Sequence, residues 1–330
     1  MLRSIVAGLL LALGNLSAQA NCGGTNLLAA MAPDDLAALR AAVDAQPHAK
    51  GNFWRATRGA STIYLAGTYH LDDPRHDATA EKLAPLIDTA AVVLVEAGPA
   101  EQRKLQAAVA QDPALMFLTD GPTLPEMLGE ADWQALSAAM RARDIPAFLA
   151  AKMQPWLVAA LLSIPPCARN YLQHKPEGLD TRVIDLARAS GVPVRALEPF
   201  DAVFTIFDAM GLERQLDIIR TTVAMDGNAE DQSATMADLY FDQDARAIWE
   251  LGKLMSYALP DHSRSAVDAE FAAMEEVLIH RRNRAWIPVM LGALDQGPVF
   301  AAFGALHLSG KDGVLALLER EGFTLERLDL

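Results

Sequence analysis

The ten residues TIYLAGTYHL, at positions 62–71, decide how this chain is interpreted. They form a short apolar run that ends in glycine, and a histidine follows that glycine three residues later, giving the pattern GxxH. The same arrangement returns near the carboxyl end as VFAAFGALHL, at positions 299–308. Each copy leads into a polar turn, a helical segment and a second apolar run. The sequence therefore predicts two strand-GxxH-helix-strand units that bracket the chain.

The GxxH pattern by itself is weak evidence, because 21 glycines and 7 histidines in 330 residues give roughly 0.45 matches by chance. Its position at the end of a strand is more informative. Glycine there lets the backbone turn tightly or approach another group closely. The histidine then lies at the carboxyl edge, where open α/β sheets build their sites. We expect His70 and His307 to converge if the two units pair about a pseudo-twofold axis; the alternative is two histidines that cap strand ends by hydrogen bonds.

Short apolar runs alternate with much longer helical patterns along the chain. This arrangement predicts an α/β (α+β) fold, with a small central mixed sheet built from the two units, residues 62–98 and 299–330. Residues of about 100–290 are expected to form a large, mostly helical insertion. Residues 21–330 are expected to form one domain. The predicted strands are residues 62–66, 91–96, 192–197, 299–303 and 324–328.

The first twenty residues have the composition of a secretory signal peptide. Arg3 precedes an apolar run from Ile5 to Leu13, and Ser17-Ala18-Gln19-Ala20 ends in an Ala-x-Ala pattern that predicts cleavage after Ala20. We therefore expect a periplasmic or secreted protein. The apolar run is shorter than the roughly 20 residues of a spanning helix, so no stable membrane insertion is expected.

The charge of the chain argues against one class of partner. The formal net charge is −14, with 28 Lys and Arg against 42 Asp and Glu. Contact with phosphates needs a basic surface, and the sequence has no basic run, so a nucleic-acid partner is not expected.

Two cysteines remain after the predicted cleavage, Cys22 and Cys167. An even number in an oxidising compartment predicts one disulfide between them. Two unpaired thiols are the alternative.

Two glutamates follow predicted strands. Glu96 ends the run 91–96 and is expected at the same sheet edge as His70, while Glu198 comes directly after the run 192–197. A helix N-cap partner or a solvated loop charge is the alternative for each. Two neutral imidazoles and a carboxylate form a metal site with an open position, which suits activation of water. The predicted ligands are His70, His307 and Glu96, and the metal is Zn, Mn or Co.

These motifs resemble the TraB/PrgY/GumN family, which belongs to a superfamily with the Tiki metalloproteases, and the chain is most similar to the secreted GumN branch. The resemblance implies a divalent-metal-dependent hydrolase that uses both GxxH histidines, the strand-end glutamate and an Arg-Asn pair. It covers nearly all of the mature chain and rests on residues 21–28, 67–70, 95–96, 178–180, 282–287 and 304–310.

The Arg-Asn pair corresponds to Arg282 and Asn283. A guanidinium and an amide can stabilise an oxyanion or hold a substrate carboxylate. The alternative is a solvated basic face, in which Arg281 and its neighbours pair with Glu275 and Glu276. Arg281 can also be mistaken for Arg282 in this run of similar residues.

The resulting hypothesis is metal-assisted hydrolysis of a peptide or a small carbonyl compound. A metal-bound water attacks the carbonyl, Arg282 and Asn283 stabilise the oxyanion, and Glu198 serves as a base or a fourth ligand. The helical insertion is expected to form a lid and a specificity wall. One alternative is a non-catalytic periplasmic binding protein or an accessory protein of envelope polysaccharide export; another is a structural protein without a site.

Overall fold

The computed structural model describes residues 22–168, 178–259 and 263–330. The predicted signal peptide lies outside these residues, so its cleavage stays a prediction. Within the described residues one sheet has six strands: β1 (Phe53–Arg58), β2 (Ser61–Thr68), β3 (Val92–Val95), β4 (Val194–Ala196), β5 (Val299–Gly304) and β6 (Thr324–Arg327).

The sheet is mixed, with the strand order β4-β3-β5-β2-β1-β6. The first four of these strands run parallel to one another, and β1 is antiparallel to both of its neighbours. The two predicted units, β2 to β3 and β5 to β6, supply four of the strands, so the predicted α/β fold with a small mixed sheet is confirmed. The strand β1 was not predicted; it forms a hairpin with β2 across Gly59 and Ala60.

Helices make up most of the rest of the described chain. They are α1 (Pro33–Asp44), α2 (Arg75–Asp88), α3 (Pro99–Gln111), α4 (Leu124–Leu128), α5 (Glu130–Arg141), α6 (Ala147–Ala150), α7 (Pro155–Leu162), α8 (Leu179–Ala189), α9 (Ala202–Met210), α10 (Leu212–Met225), α11 (Ala229–Phe241), α12 (Ala245–Ser256), α13 (Arg264–Glu275), α14 (Arg281–Ala293) and α15 (Val314–Arg320).

Helices cover both faces of the sheet, because the strands carry apolar side chains on both sides. In β2, Ile63 and Leu65 pack in one core with Trp286 of α14 and with α15. Ala66 belongs to the opposite core, against α2, α8 and α11. A parallel sheet buried on both faces is the arrangement that continuous apolar strands predict.

The predicted helical insertion is confirmed, with one strand inside it. Helices α4 to α7 and α10 share a separate apolar core that includes Leu136, Met140 and Val158. The strand β4 also belongs to this segment and pairs with β3 at one edge of the sheet. The insertion is therefore joined to the sheet by strand pairing as well as by helix packing.

The predicted disulfide is confirmed: Cys22 is bonded to Cys167. It links the amino-terminal segment to the loop after α7, across 145 residues of sequence. Among the residues that the structure describes, no helix is both long enough and apolar enough to cross a membrane.

Candidate active site

The two GxxH segments lie side by side because β2 and β5 are parallel neighbours. Their register places Thr68 opposite Gly304, so the two GxxH segments leave the sheet at the same edge. Gly67 has to be glycine because a Cβ there would lie 2.7 Å from a methyl of Leu308 and 2.9 Å from Ala305. The parallel pairing thus brings the segments that carry the two histidines together.

Gly304 leaves a small space that three of the predicted site residues share. A Cβ on Gly304 would lie 3.4 Å from Glu96 Oε1, 3.6 Å from His70 Nε2 and 3.7 Å from His307 Cδ2. Glu96 reaches this point because β3 pairs with β5 on the other side, and it is the next residue after β3. Both histidines and Glu96 are therefore gathered at the carboxyl edge of the sheet.

Arg282 lies at the centre of the site, and all of its N–H groups are used. Nε and Nη2 donate to the two oxygens of Glu198, at 2.9 and 2.7 Å. Nη2 also donates to Glu96 Oε2 at 2.6 Å, while Nη1 donates to the Leu278 carbonyl and to His307 Nε2, both at 3.1 Å. A guanidinium has five N–H donors, so none is left for a substrate in this arrangement.

A π-helical turn positions this arginine. The turn spans Glu276–His280 between α13 and α14, and Arg282 is the second residue after it. A wider turn changes the face on which the following residues lie, and such turns are frequent at functional sites. Arg281, in contrast, is 57% exposed and pairs with Glu276. The alternative of a solvated basic face therefore applies to Arg281 and not to Arg282.

Glu96 is held as a carboxylate from two sides. Oε1 accepts the backbone N–H of Gly304 at 2.6 Å, and Oε2 accepts from Arg282. Burial would raise the pKa of Glu96, but the charge of Arg282, then His307 and His70, and the Gly304 N–H outweigh it and lower the pKa to about 2. Glu96 is therefore ionised at neutral pH.

His307 is buried and neutral. Its Nδ1–H donates to Asn283 Oδ1 at 2.6 Å, which leaves Nε2 to accept from Arg282; this tautomer follows from the hydrogen-bond partners. Burial lowers the pKa of His307 to about 3. The charge of Glu96 acts in the opposite direction, and the charge of Arg282 adds to the effect of burial. The ring also packs on Trp286, with centroids 4.4 Å apart.

His70 differs from His307 in exposure and in charge. Its side chain is 56% exposed, and Nδ1 is 3.0 Å from Asp180 Oδ1 at the start of α8. Partial burial would lower the pKa of His70, but the hydrogen bond and charge of Asp180, with the charge of Glu96, raise it to about 9. At neutral pH His70 is thus protonated, with Nε2 facing the space at Gly304.

Asp180 was not among the predicted site residues, although the sequence carries a signal for its position. Gly178, which precedes α8, packs so closely on His70 that a Cβ would lie 2.2 Å from the His70 carbonyl oxygen. The N–H of Leu179 donates to the Tyr69 carbonyl at 3.0 Å. The Gly-Leu-Asp segment therefore docks the start of α8 on the first GxxH loop.

Asn283 and Glu198 have supporting positions. Asn283 is fully buried, and its Nδ2 donates to the carbonyls of His307 and Asp312, at 3.1 and 2.9 Å. Glu198 binds Arg282 with both oxygens and accepts from Trp286 Nε1 at 3.2 Å. Asn283 has no free N–H for an oxyanion, and Glu198 does not line the cavity beside His70 and Glu96, so the oxyanion contact and the base role expected of these two residues stay predictions.

A cavity of about 250 Å³ opens beside these residues. The helical insertion contributes Met236, Tyr240 and Ile248 from α11 and α12 to its wall. The sheet edge contributes Thr68 and Gly304. The cavity therefore has an apolar helical side and a polar side at the two GxxH loops.

The residues do not form a metal site as they are arranged. Within the described ranges, no group of three His, Cys, Asp or Glu side chains is positioned to hold a metal ion. His70, Glu96 and His307 are suitable ligand types. However, the Arg282 guanidinium is bonded to Glu96 Oε2 and His307 Nε2, so a cation already engages two of the three predicted ligands.

Comparison with known proteins gives the family of the chain. The model of the TraB/PrgY/gumN family matches residues 52–327, a range that contains both GxxH segments, Glu96 and Arg282. Comparison with curated proteins gave no match. The match spans far more than half of the chain, and the chain therefore belongs to the TraB/PrgY/gumN family.

Proposed function

We propose that this chain is a secreted or periplasmic hydrolase that cleaves a peptide or another small carbonyl compound. The observation that carries the proposal is that Glu96 Oε1 and His70 Nε2 border the same small space at Gly304, beside the cavity. A fixed carboxylate next to an imidazole that is itself oriented by an aspartate is an acid–base arrangement. The disulfide agrees with an oxidising compartment.

The protonation states assign the two roles. Glu96 is ionised and His70 is protonated, and neighbouring groups whose pKa values are displaced in opposite directions divide the base and acid functions. A water in the space at Gly304 attacks the carbonyl carbon and gives its proton to Glu96. As the carbon–nitrogen bond breaks, His70 Nε2 donates its proton to the leaving nitrogen. Proton exchange with solvent then restores both residues.

The surrounding residues keep this pair in place. Asp180 orients the His70 ring through Nδ1. Arg282 holds Glu96, and Glu198 in turn holds Arg282 with two bonds. His307 accepts from Arg282 and remains neutral, so it adds no charge of its own beside Glu96.

A metal-dependent form of the hydrolase, as the family resemblance implies, remains part of the proposal. His70, His307 and Glu96 would hold Zn, Mn or Co, and the ion would polarise the attacking water. This form requires Arg282 to release Glu96 and His307, and it requires His70 to lose its proton, because only a neutral imidazole binds a metal.

The first experiment is hydrolysis of blocked peptides and esters by the disulfide-bonded protein, with and without a chelator. His70→Ala and Glu96→Gln are expected to abolish turnover while the far-UV circular dichroism stays unchanged. His48→Ala is the matched control, because His48 pairs with Glu319 outside the cavity and is expected to leave turnover intact.

Elemental mass spectrometry of the same samples separates the two forms. Turnover that survives the chelator, in protein without bound metal, supports catalysis by Glu96 and His70 alone. Near one equivalent of Zn, Mn or Co, lost from His70→Ala and His307→Ala, supports the metal-dependent form. Absence of turnover under every condition, with thermal stabilisation by one of the compounds, would refute the hydrolase and favour a binding protein.

A further inference from the structure

Thr68 is a buried polar residue at the edge of the cavity that the hydrolytic scheme does not use. It is the last residue of β2, lies opposite Gly304 in the sheet register, and is only 3% exposed. It lines the cavity together with His70 and Glu96. Thr68 is therefore part of the wall of the cavity in which the carbonyl group would bind.

The Thr68 hydroxyl has no hydrogen-bond partner among the residues that the structure describes. Buried polar atoms are nearly always paired, so each unpaired one needs an explanation. In the described part of the chain the other buried side-chain atoms without a partner do not line this cavity; they are His76 Nδ1, Ser137 Oγ, Asp244 Oδ1 and Ser309 Oγ. Thr68 thus combines burial, a missing partner and a place at the site.

Most other side-chain donors around the cavity are already engaged. All five N–H groups of Arg282 are bonded, and His307 Nδ1–H is bonded to Asn283. The hydroxyl of Tyr240 donates to the Gly67 carbonyl at 2.9 Å, whereas the oxygen of Tyr69 accepts a hydrogen bond from Ser233, beside a second pocket that Tyr69 also lines. Among the described residues that line the cavity, the side-chain donors left are His70, the Tyr69 hydroxyl and the Thr68 hydroxyl, and of these hydroxyls only that of Thr68 is buried without any partner.

We infer that the Thr68 hydroxyl binds the substrate by donating a hydrogen bond to the oxygen of the carbonyl group that is attacked. This inference rests on the proposed hydrolase and assigns to Thr68 the contact that the sequence suggested for Arg282 and Asn283. A donor aimed at this oxygen stabilises the negative charge that develops there during attack. Threonine supplies it from the last residue of β2, which pairs with Gly304 of β5.

The test compares Thr68→Val, which removes the hydroxyl and keeps the shape, with Thr68→Ser, which keeps the hydroxyl. Thr235→Val is the matched control, because Thr235 is equally buried but bonded to Leu27 N–H and the Asp231 carbonyl. In the free protein, Thr68→Val is expected to unfold at the same or a higher urea concentration than the wild type, since no protein hydrogen bond is lost. Thr235→Val is expected to unfold at a lower one.

The functional readouts are kcat/KM for any peptide or ester that the wild type cleaves, and the Kd for methylphosphonate, a tetrahedral oxyanion, measured by NMR. Thr68→Val is expected to lower kcat/KM about 10-fold, through kcat, and to raise the Kd about 10-fold, the effect of one lost hydrogen bond. Thr68→Ser is expected to stay within about threefold of the wild type.

Two outcomes would overturn the inference: equal methylphosphonate affinity of the wild type and Thr68→Val, or no binding by the wild type. A less stable free Thr68→Val would also overturn it, because the hydroxyl would then have a structural partner. If methylphosphonate binding depends on Thr68 but no compound is hydrolysed, the binding role of Thr68 stands and the proposed hydrolase fails. The two failures are therefore distinguishable.

Discussion

Replacing Arg282 by alanine tests whether this guanidinium is the centre of the site. The change would leave the carboxylates of Glu96 and Glu198 without their common partner. Removing one member of a buried ion pair costs about 3–5 kcal/mol, because an uncompensated charge stays behind. The side chains of Arg282, Glu96 and Glu198 are 17%, 21% and 16% exposed, so partial solvation places the expected loss near the lower value, about 3 kcal/mol.

Arg281→Ala is the matched control for this variant. Arg281 is the neighbouring arginine, is 57% exposed, and pairs with Glu276 at 3.4 Å, so its loss is expected to cost about 0–1 kcal/mol. The assay is urea unfolding at pH 7, followed by far-UV circular dichroism with the disulfide intact. A difference of less than about 1 kcal/mol between the two variants would refute the central position of Arg282.

The pH dependence gives a second signature of the same contact. The pKa of Glu96 in the folded wild type is about 2, below its ordinary value, so its contribution to stability is present above about pH 4.5 and is lost as the pH falls toward 2. Without Arg282, burial raises the pKa of Glu96, so a fall in pH protonates Glu96 and removes its unpaired charge. The stability gap between the wild type and Arg282→Ala should therefore narrow below pH 4.5, and a constant gap would contradict this account.

Three further predictions concern the rest of the site and the fold. Asp180→Asn removes a negative charge 3.0 Å from His70, and that interaction is worth about 1.4 kcal/mol at a water-like dielectric constant of about 80. The pKa of His70 in an NMR titration should therefore fall from about 9 to about 8 or below. An unchanged titration would exclude Asp180 as the cause of the raised pKa of His70. Gly304→Ala should keep the fold, since the new Cβ lies at least 3.4 Å from its neighbours. It should lower any measured turnover at least about 10-fold, because the methyl group fills the space between Glu96 and His70. An unaltered rate would show that the reaction takes place elsewhere. The double variant Cys22→Ser/Cys167→Ser should lower the free energy of unfolding by up to about 5 kcal/mol, the chain-entropy value for a loop of 145 residues. The wild type with its disulfide reduced should show the same loss, and equal stability of the oxidised wild type, the reduced wild type and the double variant would contradict a structural role of the disulfide.

Sequence reasoning missed β1, the position of Thr68 in the cavity wall and the contact of Asp180 with His70. The six residues of β1 do not alternate between apolar and polar types, because the strand is buried at one end and exposed at the other. Thr68 looks like an ordinary strand residue until the register places it opposite Gly304. Asp180 stands 110 residues from His70 in the chain, and helix docking alone makes them neighbours.

The sequence alone determined the α/β class, the two GxxH units, the disulfide partners and the strand-end position of Glu96, since apolar runs, glycines at strand ends and the cysteine count are local or compositional features. Only the tertiary structure decided that β2 and β5 are neighbours and that Arg282 contacts Glu96 from 186 residues away. It also decided that every N–H of Arg282 is hydrogen-bonded, to Glu96, Glu198, His307 and the Leu278 carbonyl. Charge compensation in a buried site depends on distances between side chains, and those distances exist only after the helical insertion has folded back on the sheet.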